Sequence, residues 1–344
     1  MTTETTGVYQ TSLDERFTFL RQAGKGTYGT TWIAIDKDTN LKVAVKAINK
    51  SSTNRTTFKK ELKYSKHLSK HNHIISTHET AFETKTSYVM VQDYAPGGDL
   101  FDAIEPEVGL HETKARLYFG QIAKALEYMH SKKLVHRDLK PETIVLGDIE
   151  GTFIQLIDFG MTLRTGTHVS RVCGSIPYTP PEICNATDDI GFFVEPSCDV
   201  WSAGVLLFCM LTGSFPWEQA TMSDPNFAEF VHWQTGHGAV PHMWKKFSPQ
   251  LLELFSKLLA INPKERCRIG EVHKYLKEPW YSRNLSQLDE NPFYNLSPNY
   301  QSLQAQGYSV EQLVDTYHTP NSQCGLSIDW QFGANPLCQP VACS

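Results

Sequence analysis

Residues Val200 to Leu211 are apolar nearly all round, interrupted by Ser202. A helix that is hydrophobic on every face is buried in the middle of a lobe or crosses a bilayer. This run is too short to cross, which takes about 20 residues. It therefore predicts a central buried helix, with Gly213 as its C-terminal stop. Around it, Thr113 to Met129 carries Leu117, Tyr118, Ile122, Ala125, Leu126 and Met129 at helical spacing, and Leu251 to Leu259 is a further amphipathic stretch. Together these segments specify a helical lobe.

The chain before them has a different period. Trp32-Ile33-Ala34-Ile35 and Lys42 to Ile48 are β-rich runs separated by the turn Asp38-Thr39-Asn40, and another strand pair is expected around Phe82 and Ser87–Val91. One Lys-rich helix, Thr56 to Ser69, interrupts them. The reading is an α+β, two-lobed chain: a mainly β N-lobe (15–95) joined through Tyr94-Ala95-Pro96-Gly97-Gly98 to a larger helical C-lobe (96–282). Residues 1–14 are expected to be a disordered leader. The tail 283–344, rich in Ser, Asn, Gln and Tyr, is expected to be largely disordered, with Val310 to Tyr317 a candidate short helix.

Composition excludes several classes of function. A chain of 344 residues with 40% hydrophobic and 20% charged content is an ordinary soluble globular protein able to fill two cores. A net charge of −5 gives no reason to expect nucleic acid or an anionic membrane as main partner. The first residues have no apolar core for a signal peptide, and Thr2 fails the myristoylation pattern. Eight cysteines without a Cys-x-x-Cys pair suggest neither a zinc site nor a disulfide framework, and fit reduced thiols in the cytosol or nucleus, with the cytoplasm the expected location.

Gly24-Lys25-Gly26-Thr27-Tyr28-Gly29 lies between two strand-like segments. Such glycines let backbone amides approach phosphates, although a plain Gly-rich hairpin has the same look. A dinucleotide fold would place a helix directly after it; here a strand follows. Lys46 sits on a strand of the same sheet, where an inward charge has to be paired. Glu61 on the next helix is the obvious partner, nucleotide phosphates are the other, and a solvated face is the bland alternative. Further on, His136-Arg137-Asp138-Leu139-Lys140-Pro141-Glu142-Thr143 is followed by Asp158-Phe159-Gly160. Phosphoryl transfer needs a carboxylate to orient the attacking hydroxyl, a cation for the moving phosphate and oxygen ligands for magnesium. Asp138, Lys140 and Asp158 supply these three groups.

In motif order and spacing, Phe17 to Trp280 resembles the eukaryotic protein kinases: the elements above are joined by Pro180-Pro181-Glu182 and Asp199-Val200-Trp201. Gln92-Asp93-Tyr94-Ala95-Pro96, Phe159-Gly160-Met161-Thr162, Ser175-Ile176-Pro177-Tyr178 and Phe230-Val231-His232-Trp233-Gln234 are similar to the SH3-binding-domain (SBK) family of serine/threonine kinases. The resemblance implies a bilobal kinase fold, ATP with Mg2+ (or Mn2+), and protein substrates. The tail has no Pro-x-x-Pro match, so an SH3 partner is not supported. By the same resemblance, Ala23, Gly24, Lys25, Gly26, Thr27, Tyr28, Gly29, Thr30 and Thr31 would cover the nucleotide. Ala44 and Val145 would sandwich the base, Gln92 would be the gatekeeper and Asp99 would meet the ribose. Lys46 with Glu61 would hold phosphates, Asp158 the metal, and Asp138 and Lys140 the reacting hydroxyl and γ-phosphate. Ser175 would bridge those last two, Glu182 would pair with Arg266 as a structural brace, and His136 is a packing residue rather than a proton carrier.

Three positions depart from the family pattern, the mildest being Thr31 where a valine usually gives apolar cover over the adenine. The usual loop asparagine, a second magnesium ligand, is Thr143, whose hydroxyl has a shorter reach. This leaves two readings: a working kinase in which Asp158 holds the metal with Thr143 a poorer ligand, and a pseudokinase that binds nucleotide and acts as a scaffold or allosteric binding module. A small-molecule kinase would lack Ser175 to Glu182 and Asp199-Val200-Trp201. Where many kinases carry a phosphorylated threonine, two residues before Cys173, this chain has Arg171. Ser170 is then the nearest phosphorylation candidate, and a loop held by packing alone is the other reading.

Overall fold

In a computed structural model, the chain is described over residues 8–10 (backbone alone), 12–26, 28–170, 175–186 and 191–282. The expected helix at Val310–Tyr317, the tail and the loop residues Thr27 and Arg171 lie outside the described residues. Val8–Gln10 (β1) and the helical turn Leu13–Arg16 (α1) precede Phe17–Gly26 (β2), Gly29–Asp36 (β3) and Leu41–Asn49 (β4). The helix Arg55–Leu68 (α2) and the strands Thr77–Glu83 (β5) and Ser87–Asp93 (β6) complete the small lobe. The strands form one six-stranded sheet in the order β1-β5-β6-β4-β3-β2, with only β1–β5 parallel.

The sheet follows the alternation in the sequence. Phe17, Ala34, Val43, Val45, Val89 and Val91 pack together in one buried cluster. Ile48, Ala81, Tyr88 and Met90 form another with Phe58 and Leu62 of α2. Asn54 caps α2 by accepting from the Thr57 N–H at 2.9 Å. The expectation of a disordered leader over 1–14 is corrected for its second half: β1 pairs Val8, Tyr9 and Gln10 with Ala81, Phe82 and Glu83. The edge of β5 offers unpaired backbone groups, and a short strand covers them.

In the large lobe come Leu100–Ala103 (α3), Glu112–Ser131 (α4), Leu134–Val135 (β7), Ile144–Leu146 (β8), Ile154–Leu156 (β9), Leu163–Arg164 (β10) and His168–Val169 (β11). Pro181–Cys184 (α5), Phe192–Phe193 (β12), Pro196–Thr212 (α6), Pro225–Gln234 (α7) and Pro249–Leu258 (α8) follow. Every residue of α6 from Cys198 to Thr212 is buried, as its all-round apolar sequence requires. Gly213 ends it at φ 66°, donating to the Cys209 carbonyl at 2.8 Å. The short antiparallel pairs β8–β9 and β7–β10 carry the loops that bear Asp138 and Asp158. No helix among the described residues is long and apolar enough to cross a membrane.

Candidate active site

The glycines of the β2–β3 turn have two different reasons to be glycine. At Gly24 and Gly26 an added Cβ would meet nothing within 4 Å, so the backbone there lies open. At Gly29 a Cβ would collide with the Ala47 carbonyl oxygen on β4. Two of the three are thus free to approach a ligand, while the third lets β3 pack on its neighbour. Thr31 lies opposite Lys46, and Ala44 opposite Gln92, across β4. The Gln92 amide is buried and donates to Thr77 Oγ1 at 3.1 Å, so it is spent on the wall behind Ala44.

Lys46 Nζ lies 2.8 Å from Glu61 Oε1 and 2.9 Å from Asp158 Oδ1, joining sheet, α2 and the Asp158 turn in one cluster. Burial pulls the Lys46 ammonium down, but the charges of Asp158 and Glu61 outweigh it and hold the pKa above its usual value. Lys46 in turn lowers the Asp158 carboxyl to about 2, helped by the Gly160 N–H donating at 3.3 Å. Glu61 is buried, with its carboxylate on Lys46. Asp158 has the left-handed φ of 64°, which aims its carboxylate into the cleft, and its side chain is 46% exposed there. Phe159 points the opposite way, fully buried, edge-on to His136 with centroids 5.6 Å apart.

The loop carrying Asp138 hangs from one carboxylate. Asp199, in the first turn of α6 and 0% exposed, accepts from the N–H groups of His136 and Arg137 at 2.8 Å each, and lies 2.8 Å from His130 Nε2. Burial raises its pKa, but His130 and His136 and these hydrogen bonds win, so it stays ionised. Arg137 sits at φ 71°, a conformation costing a non-glycine residue roughly 1–3 kcal/mol that persists only when its surroundings over-determine it. The Asp199 acceptors do that. An aspartate in an otherwise apolar helix was the sequence signal for this role, since a buried charge demands partners. Its motif was legible beforehand; its task was not. His136 accepts from the Asp138 N–H at 3.3 Å and packs on Phe159, a positioning role.

Lys140 Nζ lies 3.2 Å from Asp138 Oδ2 and 3.0 Å from Ser175 Oγ. The expected Ser175 bridge is thus made by the lysine, which touches both. Thr143 is buried, and its Oγ1 lies 3.0 and 2.9 Å from the Asp138 and Lys140 carbonyls while accepting from the Lys140 N–H at 3.2 Å. A hydroxyl has one proton, so the two carbonyls share it. Asp99 caps α3, accepting from the Asp102 N–H at 2.9 Å, and bridges to Val145; burial raises its pKa. Behind the loop, Arg266 forks onto Glu182 at 2.7 and 2.6 Å with its guanidinium 4.8 Å from the Trp201 ring.

Residues 17–281 match the protein kinase domain family. The chain is 45% identical over 311 residues to the Danio rerio serine/threonine-protein kinase SBK1, covering 90% of this chain and 81% of that one. It is 46% identical over 264 residues to the Mus musculus protein of the same name, covering 76% and 63%. It is 36% identical over 275 residues to the Drosophila melanogaster serine/threonine-protein kinase meng-po, covering 79% and 60%. With its lysine–glutamate–aspartate cluster and its anchored Asp138 loop in place, the chain belongs to the protein kinases and, within them, to the SBK family of serine/threonine kinases.

Proposed function

We propose that this chain is a working serine/threonine protein kinase that moves the γ-phosphate of ATP to protein hydroxyls. The observation that carries the reading is the assembled state of the site: Lys46 is closed on both Glu61 and Asp158, while Lys140 is closed on Asp138. The nucleotide would lie under the open backbone of Gly24 and Gly26, with its base between Ala44 and Val145 and its phosphates at Lys46. Asp138 Oδ2 faces Lys140, and its other carboxylate oxygen takes the proton of the acceptor hydroxyl as the hydroxyl oxygen bonds to the γ-phosphorus. The bond from the γ-phosphorus to the β–γ bridging oxygen breaks, ADP leaves, and Lys140 neutralises the transferring group.

A divalent cation fits Asp158: magnesium takes one or two carboxylates plus phosphate oxygens and waters, and this carboxylate is ionised and open to the cleft. When bound, Mg2+ or Mn2+ neutralises charge on the phosphates. Thr143 keeps one half of the asparagine's work, steadying the loop through its contacts with Asp138 and Lys140. That same engagement favours a second reading, a nucleotide-binding pseudokinase acting as a scaffold or allosteric module, because the hydroxyl is turned to the backbone.

The test is γ-phosphate transfer by the full chain to serine, threonine and tyrosine peptides, with Asp138→Ala as control. Transfer to Ser and Thr peptides that falls by about 10²–10⁴ in the variant, the size of a lost general base, supports the kinase reading. Equal transfer by the variant refutes the role of Asp138. No transfer by either, with ATP still bound, leaves the pseudokinase.

A further inference from the structure

The segment from Asp158 to Glu182 has to be held in place before a substrate can dock, and a phosphate paired with Arg137 is one way to hold it. Here backbone pairing holds its described part on two sides. Leu163 and Arg164 pair with Val135 and Leu134, and the Thr165 N–H donates to the Lys133 carbonyl at 3.0 Å. On the other side, His168 and Val169 pair antiparallel with Phe193 and Phe192, in the stretch that leads into α6. The ribbon is extended by Gly166 N–H to Val194 O at 2.8 Å and Val194 N–H to Thr167 O at 2.9 Å. A pair of two-residue strands is marginal alone, and three features secure this one. Val194 is fully buried, His168 stands edge-on to Phe193 with centroids 5.1 Å apart, and Gly191 at φ 61° lets the backbones meet where a Cβ would collide with the Val169 carbonyl oxygen.

The ribbon also reaches the catalytic loop. The Arg137 guanidinium lies 6.0 Å from the centre of the Phe192 ring and donates to the Met161 carbonyl at 3.1 Å. Phe192, Arg137, Asp138 and Ser175 line one cavity of about 30 Å3. An aromatic face attracts a guanidinium through its quadrupole without adding charge. We infer that Phe192 is a positioning residue for phosphoryl transfer. Through Arg137 and the β11–β12 ribbon it holds the Asp138 loop and residues 163–170 of the segment from Asp158 to Glu182 in working register, so the chain is active without a phosphate on that segment. This rests on the kinase reading above.

The experiment uses the full chain treated with a broad-specificity phosphatase, its unphosphorylated state checked by intact mass. Transfer to a Ser/Thr peptide is measured beside hydrogen exchange of residues 163–170, for wild type, Phe192→Leu, Phe192→Trp, Gly191→Ala and Ser170→Ala. Wild type is expected to keep its activity after treatment, and Ser170→Ala to match it. Phe192→Leu should lower kcat about tenfold, with KM for ATP little changed, and speed exchange of 163–170 by a similar factor; Phe192→Trp should restore both. Gly191→Ala attacks the ribbon through its backbone beside Phe192, where the new Cβ would meet the Val169 carbonyl oxygen, and should repeat the Leu phenotype should Phe192→Leu fold poorly. Loss of activity on dephosphorylation or in Ser170→Ala overturns the inference, as does unchanged kcat and exchange in Phe192→Leu with Gly191→Ala. If wild type transfers nothing before or after treatment, the kinase reading fails, and the exchange measurements alone decide whether Phe192 holds the segment.

Discussion

Two ion clusters in this molecule use the same chemistry for different ends. Glu182–Arg266 sits inside the helical lobe with the arginine side chain 0% exposed, its guanidinium also bonded to the Ala260 and Ser197 carbonyls and stacked on Trp201. Lys46–Glu61–Asp158 stands at the open cleft, with Glu61 buried and Asp158 nearly half exposed. In the first, every donor is used inside the protein, so the pair can only brace. In the second, Asp158 keeps capacity for a ligand, and Lys46 can trade a carboxylate oxygen for a phosphate oxygen. Spare coordination, rather than charge itself, separates a working site from a strut.

That contrast can be broken by mutation. Arg266→Met leaves the Glu182 carboxylate without its fork, and unfolding by urea should show a loss of about 3–5 kcal/mol. A loss below about 1 kcal/mol would mean that the pair is no brace. Asp158→Asn should do the reverse: transfer falls by about 10²–10³, the scale of one removed electrostatic stabiliser, while stability moves by less than about 1 kcal/mol because the group is solvated and Lys46 keeps Glu61. Thr143→Val strips the hydroxyl from the loop and strands the Lys140 N–H. A destabilisation of about 1–3 kcal/mol is expected, with a matching drop in kcat.

The smallest effect is a pH dependence. The Asp158 pKa is depressed to about 2 in the folded chain, against roughly 3.9 unfolded, so its contribution is fully present above about pH 4 and is lost as pH falls through about 2. Any stability advantage of wild type over Asp158→Asn should therefore shrink between pH 4 and pH 2. A gap that widens there would mean that Lys46 does not hold the carboxylate ionised.

Much of this was legible in the sequence because local rules wrote it. All-round apolarity announced α6, Gly213 its end, and the order of glycines, Lys46, Glu61, Asp138 and Asp158 the cleft. What was not legible depends on partners far along the chain. Val8-Tyr9-Gln10 carries no period of its own and becomes a strand only because β5 has an edge to cover. Two-residue strands such as Phe192–Phe193 are too short to show alternation. The sharing of Asp199 among His130, His136 and Arg137, and the turn of the Thr143 hydroxyl toward its own loop, are set by tertiary packing around a few fixed atoms.

The central claim is that one open carboxylate, Asp158, suffices for the metal while Thr143 steadies the loop. Its most direct test is γ-phosphate transfer as a function of Mg2+ and Mn2+ concentration, for wild type beside Thr143→Asn. The account predicts transfer by wild type that saturates at higher metal than in the variant, the variant gaining about tenfold at low metal, as for one added ligand. Transfer by Thr143→Asn together with none by wild type at any concentration of either ion would contradict it.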